Sequence, residues 1–598
     1  MQVTRAFAIT LALSSLALLS TRQATAVPYA SQVRDTGSNI FEFVLNQSAD
    51  EITVLRDGAN PVTISSPAAG RHTFDMTGFS AFEIQVDNVA PTGWTKIDNG
   101  PNDFDDFEQP GGLAVNTDPS SPFFGTVYVA NARDSATASG RTMAAGIYAL
   151  SADLIGVDLA NNFGVVADPN DTSFFKTPGF GFDLASTNSP YRLSIDDGGN
   201  IVVADFSDAS GGIKFAAPDL QTGGLVLAGE GQPPTTFNHG SINSSVYVEG
   251  TVGVDAVVYG IDEDIESSAL GGVNNLWKWD TGGATDFAGP PSLVIGEQAL
   301  PTTWLGIGRQ DATFSPIHNK WYLTNNRFNG TGEAGLLVVT ADTLAAPNNG
   351  TAPTIEFNSF EFTDTNGLDG YDDSVLTGVQ DILRNVGRVE VTEDGESLIL
   401  YRHLVSLGNE SPPVDTNNPG DVLIIPLDAN GIPEIVIEDG LITNWESFST
   451  AGVNSNTLRI DIDIDAAGNI YTSGNSAELI EAFSPGGFTR AITTSAGAFS
   501  VEELIVDILA GDFNDDDVVD ILDYTFWRDN LGSTDESLIN NAGLLDGIID
   551  ANDYLIWKAA FGNTSPGPLT SGLVPEPGSA MLLSGMLAAI VGLQRRRR

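Results

Sequence analysis

Hydrophobic and polar positions alternate in short runs along most of the chain. Phe41-Glu-Phe-Val-Leu45, Glu51-Ile-Thr-Val-Leu55, His72-Thr-Phe-Asp-Met76 and Ala81-Phe-Glu-Ile-Gln-Val86 have period two and are separated by Gly, Pro, Asn and Asp. That pattern predicts half-buried antiparallel strands, and so a small sandwich-like module over residues 27–92. From 93 to 509 a looser frame, Gly-apolar-x-x-apolar-x-x-Asp, recurs. It is clear at Gly146–Asp153, Gly212–Asp219 and Gly335–Asp342, keeps all but its first residue at Asp421–Asp428, and is looser at Asn275–Gly282 and Glu478–Pro485. Each frame follows a hairpin pattern, of which Leu193–Ala204 and Ile462–Ser473 are the clearest, each turning on Asp-x-x-Gly-Asn. Weaker versions run Leu113–Ala130, Val252–Tyr259, Thr313–Thr324 and Val389–Tyr401. A Gly-Asn turn between β-branched runs is a hairpin signal. Six units of two hairpins predict six four-stranded sheets, and radial repetition removes the exposed edges that so long an all-β chain would otherwise carry.

Between Gly511 and Gly562 the period changes from two to that of a helix. Tyr524, Trp527 and Leu531 recur as Tyr554, Trp557 and Phe561, thirty residues on. Both sets mark one face of a two-turn helix closed by Gly. Each helix follows an acidic loop. The first puts side-chain oxygens at positions 1, 3, 5, 9 and 12 of a twelve-residue loop, from Asp512, Asn514, Asp516, Asp520 and Asp523, with the Val518 carbonyl at position 7. Oxygen donors at this spacing suit calcium, a hard cation that takes six to eight of them. The second loop keeps Asp546, the Ile548 carbonyl, Asp550 and Asp553 but has Ala542 and Leu544 at positions 1 and 3.

The ends of the chain read as processing signals. Arg5, the apolar run Ala6–Leu19 and Ala24-Thr25-Ala26 form a secretory signal over residues 1–26. At the other end, residues 564–573 are a Gly/Ser/Pro/Thr linker, followed by Val574-Pro575-Glu576-Pro577, an apolar run Ala580–Leu593 and four Arg. The run is short for a lasting span, and Arg beyond it serves a transient stop.

Composition narrows the chemistry. The chain has 598 residues, no Cys, and 78 acidic against 26 basic residues, a formal charge of −52. Disulfides and thiol chemistry are excluded, and such a surface repels nucleic acid and anionic membranes. With 64 Gly and 30 Pro the chain is rich in turns. Gly-x-Ser-x-Gly, Walker and His-Glu-x-x-His motifs are missing, and the four His (His72, His239, His318, His403) have no ligand spacing. Asp461-x-Asp463-x-Asp465 places three carboxylates on one strand face, where they could hold a cation, act as acid and base, or simply meet solvent. A second acidic loop, Asp364–Asp373, has loose calcium character.

Three resemblances follow from these residues. The duplicated loop-plus-helix unit at 510–563 resembles the type I dockerin family, which implies calcium loops and docking onto a cohesin-like partner, often in polysaccharide-degrading systems. The last 25 residues, 574–598, resemble a PEP-CTERM sorting signal, which implies bacterial export, cleavage by an exosortase-type protease and association with the surface or its exopolysaccharide. Residues 93–509 loosely resemble the β-propeller class. The expectation is therefore a mainly β protein: a small β-sandwich, a six-bladed β-propeller and a small α-helical dockerin-like calcium-binding domain. It would be exported, touch the membrane only through its tail, and use the propeller as a scaffold or binding module. The alternative is a secreted hydrolase or lactonase acting on polysaccharide or a related substrate, with its site in the propeller channel.

Overall fold

The computed structural model describes residues 28–503 and 510–563, apart from 91–92, 98–103, 138, 171–181, 183–188, 208–210, 229–241, 263–274, 288, 297–309, 326–334, 341–352, 360–382, 384–385, 403–421, 439–440, 449–459, 475–478, 515, 517, 534–535, 540–541 and 544–547. Both terminal signals and the Asp364–Asp373 loop lie outside the described residues. The chain forms two compact units, residues 1–504 and 505–598. No helix among the described residues is long and apolar enough to cross a membrane.

The first unit is mainly β. Six of its sheets follow the repeat. Sheet 1 joins Pro110–Val115, Val127–Asn131 and Gly146–Leu150; sheet 2 joins Arg192–Ile195, Ile201–Asp205, Gly212–Ala216 and Gly223–Ala228. Sheet 3 is Ile242–Glu249, Ala256–Asp262, Asn275–Gly282 and Ser292–Ile295, and sheet 4 is Gln310–Ser315, Lys320–Asn325, Leu336–Thr340 and Ile355–Asn358. Sheet 5 is Val386–Val391, Ser397–Arg402, Val422–Pro426 and Glu446–Phe448. Sheet 6 is Ile460–Ile464, Ile470–Gly474, Leu479–Ser484 and, from far upstream, Thr95–Lys96.

Every recurring frame is the third strand of its sheet, and the register repeats. Ile147, Ile213, Leu276, Leu336 and Val422 each face the penultimate residue of the strand before: Ala130, Ala204, Ile261, Thr324 and Tyr401. Leu479 faces the last residue, Gly474, so the loosest frame is slipped by one. The third strands are buried on both faces because each sheet shares one apolar core with the sheet before and another with the sheet after. Ala130 and Ile147 of sheet 1 meet Leu193 and Val203 of sheet 2, and Ala204 and Ile213 of sheet 2 meet Val258 and Trp279 of sheet 3. Leu276 meets Trp321, Val338 meets Leu400, and Ile424 meets Ile462 in the next three cores. The sixth core returns from Tyr471 and Ile480 of sheet 6 to Val129 and Tyr148 of sheet 1.

Three details depart from the expectation. Among the described residues sheet 1 has three strands, and the fourth strand of sheet 6 comes from ahead of the first recurring frame. Residues 487–503, expected within the repeat domain, instead pair with the N-terminal strands. Gly487–Thr494 and Phe499–Glu503 complete a five-stranded sheet with Phe82–Ala90, Glu51–Arg56 and Val62–Ser65, packed against Ala30–Gly37, Ile40–Leu45 and Gly70–Asp75. The cause is visible in the strand itself. Gly487–Thr494 buries alternate residues, which suits a sheet with one core face and not a strand sandwiched between two sheets.

In the second unit, helices α1 (Ile521–Asn530) and α2 (Ala551–Ala560) each begin with a capping box, Asp520 with Asp523 and Asp550 with Asp553. Trp527 Nε1 donates to the Asp550 carbonyl at 2.6 Å, and Trp557 Nε1 to the Asp520 carbonyl at 2.7 Å. Each helix is thus tied to the start of the other by the same bond, around Phe513, Val519, Ile539 and Ile549.

Gly112 sits where the first strands of sheets 1 and 2 approach closely. A Cβ there would lie 2.6 Å from the Tyr191 carbonyl oxygen and 2.8 Å from the Arg192 Cα. Backbone cannot yield as a side chain can, so Gly112→Ala is expected to destabilise the first unit by about 1–3 kcal/mol, read as a lower midpoint in thermal or urea unfolding.

Candidate functional site

The first strands of sheets 2, 4, 5 and 6 bring charged residues together, beside the first strand of sheet 1. Successive residues of a strand point to opposite faces, so residues two apart share one. Four of these strands carry paired positions on the same face: Arg192 and Ser194, Asp311 and Thr313, Arg388 and Glu390, Asp461 and Asp463. The first of each pair forms an inner layer. Arg388 Nε lies 3.5 Å from Asp461 Oδ1 and its Nη1 3.8 Å from Asp311 Oδ1, while Arg192 Nη1 lies 3.9 Å from Asp461 Oδ2. Two Arg therefore face two Asp, all four buried, so among the described residues of the inner layer bases and acids are equal in number.

The outer layer is not balanced. Glu390 and Asp463 are half-buried, and the charge of Asp463 acts on Glu390; among the described residues, the positions that share this layer on the other two strands are Thr313 and Ser194, neither of them basic. Thr313 Oγ1 donates to Glu390 Oε2 at 3.2 Å. Burial pushes the Glu390 carboxyl well above its ordinary value, and the charges of Asp463, Asp311 and Asp461 push the same way. Asp463 is raised to about 7 by burial, against the pull of backbone donors from Val115 and Ile464. In the inner layer, burial raises Asp311 to about 7 and Asp461 to about 6, with Arg192 opposing both shifts. These are groups that exchange protons near neutrality, the property that acid–base chemistry needs.

Backbone amides hold the carboxylates in place. Leu113 and Val115, on the free edge of sheet 1, donate to Asp461 Oδ2 at 2.9 Å and Asp463 Oδ2 at 2.7 Å. Val389 donates to Asp311 Oδ2 at 3.2 Å, across from sheet 4 to sheet 5. Asp465, which the alternation grouped with Asp461 and Asp463, does a different job. It closes the hairpin turn, accepting from Ala467 and Asn469 amides, the Asn469 side chain and the Tyr471 hydroxyl. Asp196 closes the equivalent turn of sheet 2 in the same way.

Asp311, Glu390, Arg192 and Arg388 were missed by reading the sequence, although a signal exists. When the hairpins are aligned on their first apolar residue (Leu113, Leu193, Ala312, Val389, Ile462), the residues before and after it are the two layers. His72 and His318 bond only to the Ala68 and Gly395 carbonyls, while His239 and His403 lie outside the described residues.

In the second unit the first loop turns its side-chain oxygens onto its own backbone amides. Asp512 Oδ1 and Asn514 Oδ1 both accept the Asp516 amide at 3.1 Å, and Asp516 Oδ1 accepts the Val518 amide at 3.1 Å. Asp520 Oδ1 accepts the Leu522 amide, and the buried Asp523 accepts from Phe513, Asn514 and Asp520. The oxygen-only donor set suits calcium in its chemistry. In the second loop Asp546 lies outside the described residues, Ala542 is buried, and Ile548 is exposed. Asp550 Oδ1 accepts the Asn552 amide and Asp553 Oδ2 the Asp550 amide. A Cβ at Gly543 would collide with the Asp553 carboxylate, so this carboxylate lies directly on loop backbone. Among the described residues, no three or more His, Cys, Asp or Glu gather closely enough to hold a metal.

A carboxyl whose pKa is raised by folding takes up a proton on folding between its unfolded and folded values. The stability it lends is full below about pH 4 and is lost as pH rises through the folded value. Asp311 and Asp463, both near 7, spread that loss from about pH 4 to about pH 7, and it is complete by about pH 8. The thermal midpoint of the protein is therefore expected to fall across this window, and Asp463→Asn, which keeps an acceptor for the Val115 amide, is expected to flatten the fall.

No known protein family matches this chain by sequence, and no curated protein does. By structure it is similar to a gluconolactonase of Xanthomonas campestris, at 10% identity and TM-score 0.31 over 67% of this chain and 89% of the other. It is similar to the calcium-binding protein regucalcin of Agrobacterium tumefaciens, at 12% identity and TM-score 0.31 over 66% and 95%. A further likeness is to virginiamycin B lyase of Staphylococcus aureus, at 11% identity and TM-score 0.28 over 66% and 99%. Likenesses this distant carry neither residues nor an activity over to this chain.

Proposed function

We propose that the six sheets form a closed six-bladed β-propeller, and that the chain is an exported hydrolase whose site is the outer layer of the propeller channel. The closed reading is supported by the sixth core, which joins sheet 6 to sheet 1, and by Thr95–Lys96 completing the last sheet. Neither a β-helix nor tandem sandwiches would bring sheet 6 back to sheet 1. One observation carries the enzymatic reading: Glu390 and Asp463 are two half-buried carboxyls held in place by Thr313 and by the Val115 and Ile464 amides, beside a layer in which two Arg face two Asp. A structural ion network would pair each acid with a base, as the inner layer does. Two carboxyls poised near neutrality are the equipment for opening the C–O bond of a lactone or glycoside.

The test is turnover of purified protein on a sugar-acid δ-lactone and on a nitrophenyl ester. Asp463→Asn is expected to lower kcat by about 10²-fold or more with the fold retained. Wild-type protein inert toward both probes, or a variant as active as wild type, overturns the hydrolase reading.

A second reading concerns the 510–563 unit. It acts as a calcium-stabilised docking or stalk element, dockerin-like, for a cohesin-like protein or extracellular polysaccharide, while the C-terminal tail is cut by an exosortase-type protease. The exposed Ile521, Leu522, Phe526, Leu531, Leu555 and Phe561 on and beside its two helices favour it. The calcium would be held in the first loop by Asp512, Asn514, Asp516, Val518, Asp520 and Asp523, where it would offset the repulsion of crowded carboxylates. The second loop, lacking two donors, would bind it far more weakly through Asp546, Ile548, Asp550 and Asp553. Calorimetric titration of the whole chain with calcium is expected to show one tight site in this unit, abolished by Asp523→Ala and nearly unchanged by Asp553→Ala. Tight binding that survives Asp523→Ala would count against this assignment.

A further inference from the structure

Resting on the hydrolase reading, we propose that hydrogen-bond partners divide the outer pair into an acid and a base. Glu390 carries the proton, Asp463 carries the charge, and Thr313 is the positioning residue that orients Glu390.

The division follows from donors. Asp463 has an N–H on each oxygen: Ile464 donates to Oδ1 at 2.8 Å and Val115 to Oδ2 at 2.7 Å. Two amide donors favour the ionised form, since protonating either oxygen competes with a bond already made. Among the described residues, no amide donates to the Glu390 carboxyl. It has the Thr313 hydroxyl on Oε2 alone, which leaves Oε1 to carry the proton. The charged groups around it are Asp463 in its own layer, Asp311 and Asp461 below, and Arg388 two residues back on its own strand, with Arg192 beside Asp461. Arg388 is engaged with Asp311 and Asp461, so the field at Glu390 is that of carboxylates and keeps it neutral. The burial of Glu390 acts in the same direction.

The reaction then balances. Asp463 takes a proton from water as the water oxygen bonds to the carbon of the scissile C–O bond. That bond breaks, its electron pair stays on the leaving oxygen, and Glu390 Oε1 supplies the proton to it. Transfer of the proton from Asp463 to Glu390 restores both groups, and one water has been consumed. The same charges select the substrate. An outer layer whose described residues carry one net negative charge and no cation disfavours uronates and other acidic sugars, so the class is a neutral lactone or glycoside. An acidic product is repelled on formation.

The experiment separates the two roles by leaving group. An alkoxide leaving group needs protonation, whereas nitrophenolate does not. Glu390→Gln is expected to lose about 10²-fold or more on the δ-lactone of gluconic acid and little on a nitrophenyl ester, while Asp463→Asn loses on both. Thr313→Val removes a bond that favours ionised Glu390, so the alkaline limb of the pH–rate profile moves to higher pH, and Thr313→Ser restores it. A merely structural Thr313 would leave the limb in place. Equal losses on both probes in Glu390→Gln, or superimposable profiles for Thr313→Val and wild type, overturn the assignment. Infrared titration reads the proton without turnover. A protonated carboxyl signal above about pH 8, where Asp311 and Asp463 are ionised, that vanishes in Glu390→Gln and persists in Asp463→Asn supports the division, and the reverse pattern overturns it. If wild type cleaves neither probe, it is the hydrolase reading that falls, and the infrared result still decides which group holds the proton.

Discussion

The axis of the first unit is an arrangement for burying charge. First strands have one unpaired edge, so their outward amides need acceptors where water is scarce. Asp461, Asp463 and Asp311 supply them to Leu113, Val115 and Val389, each from one sheet to another. Those carboxylates then need neutralising, since an isolated buried ion costs several kcal/mol. Arg388 and Arg192 do this for the inner layer at separations of 3.5–3.9 Å. At an effective dielectric near 20, each such contact is worth about 4 kcal/mol before desolvation is counted. Amide, carboxylate and guanidinium thus form one chain of dependence, and losing Arg388 would leave two buried Asp exposed to each other.

The outer layer departs from this logic by a single step along each strand. Moving two residues replaces Arg388 with Glu390 and Arg192 with Ser194, so the compensation stops while the amide bond to Asp463 continues. A pair left in that state stores unfavourable electrostatics, and it persists only because the inner layer and the six apolar cores fix the strands. Destabilised charge held by a rigid surround is the usual condition of a reactive site. The second unit solves a related problem with other means. Its crowded acids are turned onto loop amides, while two Trp–carbonyl bonds carry the tie between its helices.

The repeat was legible because it is local. The frame marks the third strand of every sheet, and even the one-residue slip at Leu479 shows in the sequence as a poorer match. Alternation likewise placed Asp461 and Asp463 on one face, since a strand dictates that by itself. It put Asp465 with them wrongly, because a turn residue two steps on no longer obeys the strand's period. Arg192, Asp311 and Arg388 were not legible as partners. Each lies some 70 residues or more from the Asp461 it surrounds, and only the circular order of sheets brings them together. The pairing of Phe82–Ala90 with Gly487–Thr494 escaped for the same reason, although the alternation in both strands agreed with it.

That distant pairing has a consequence for the channel. Strands before and after the repeat are joined twice, through Thr95–Lys96 in sheet 6 and through eight residue pairs of the five-stranded sheet. A ring of sheets closed only by first-strand contacts could open at sheets 1 and 6, the junction where Leu113 and Val115 bind Asp461 and Asp463. The outer carboxyl pair therefore sits close to the junction of sheets 1 and 6, which the chain crosses once, between Thr95–Lys96 and Pro110–Val115. Its ionisation depends on those amide bonds staying formed, so the N-terminal strands, remote from the axis in sequence and carrying none of its charges, hold the geometry on which the division between Glu390 and Asp463 rests.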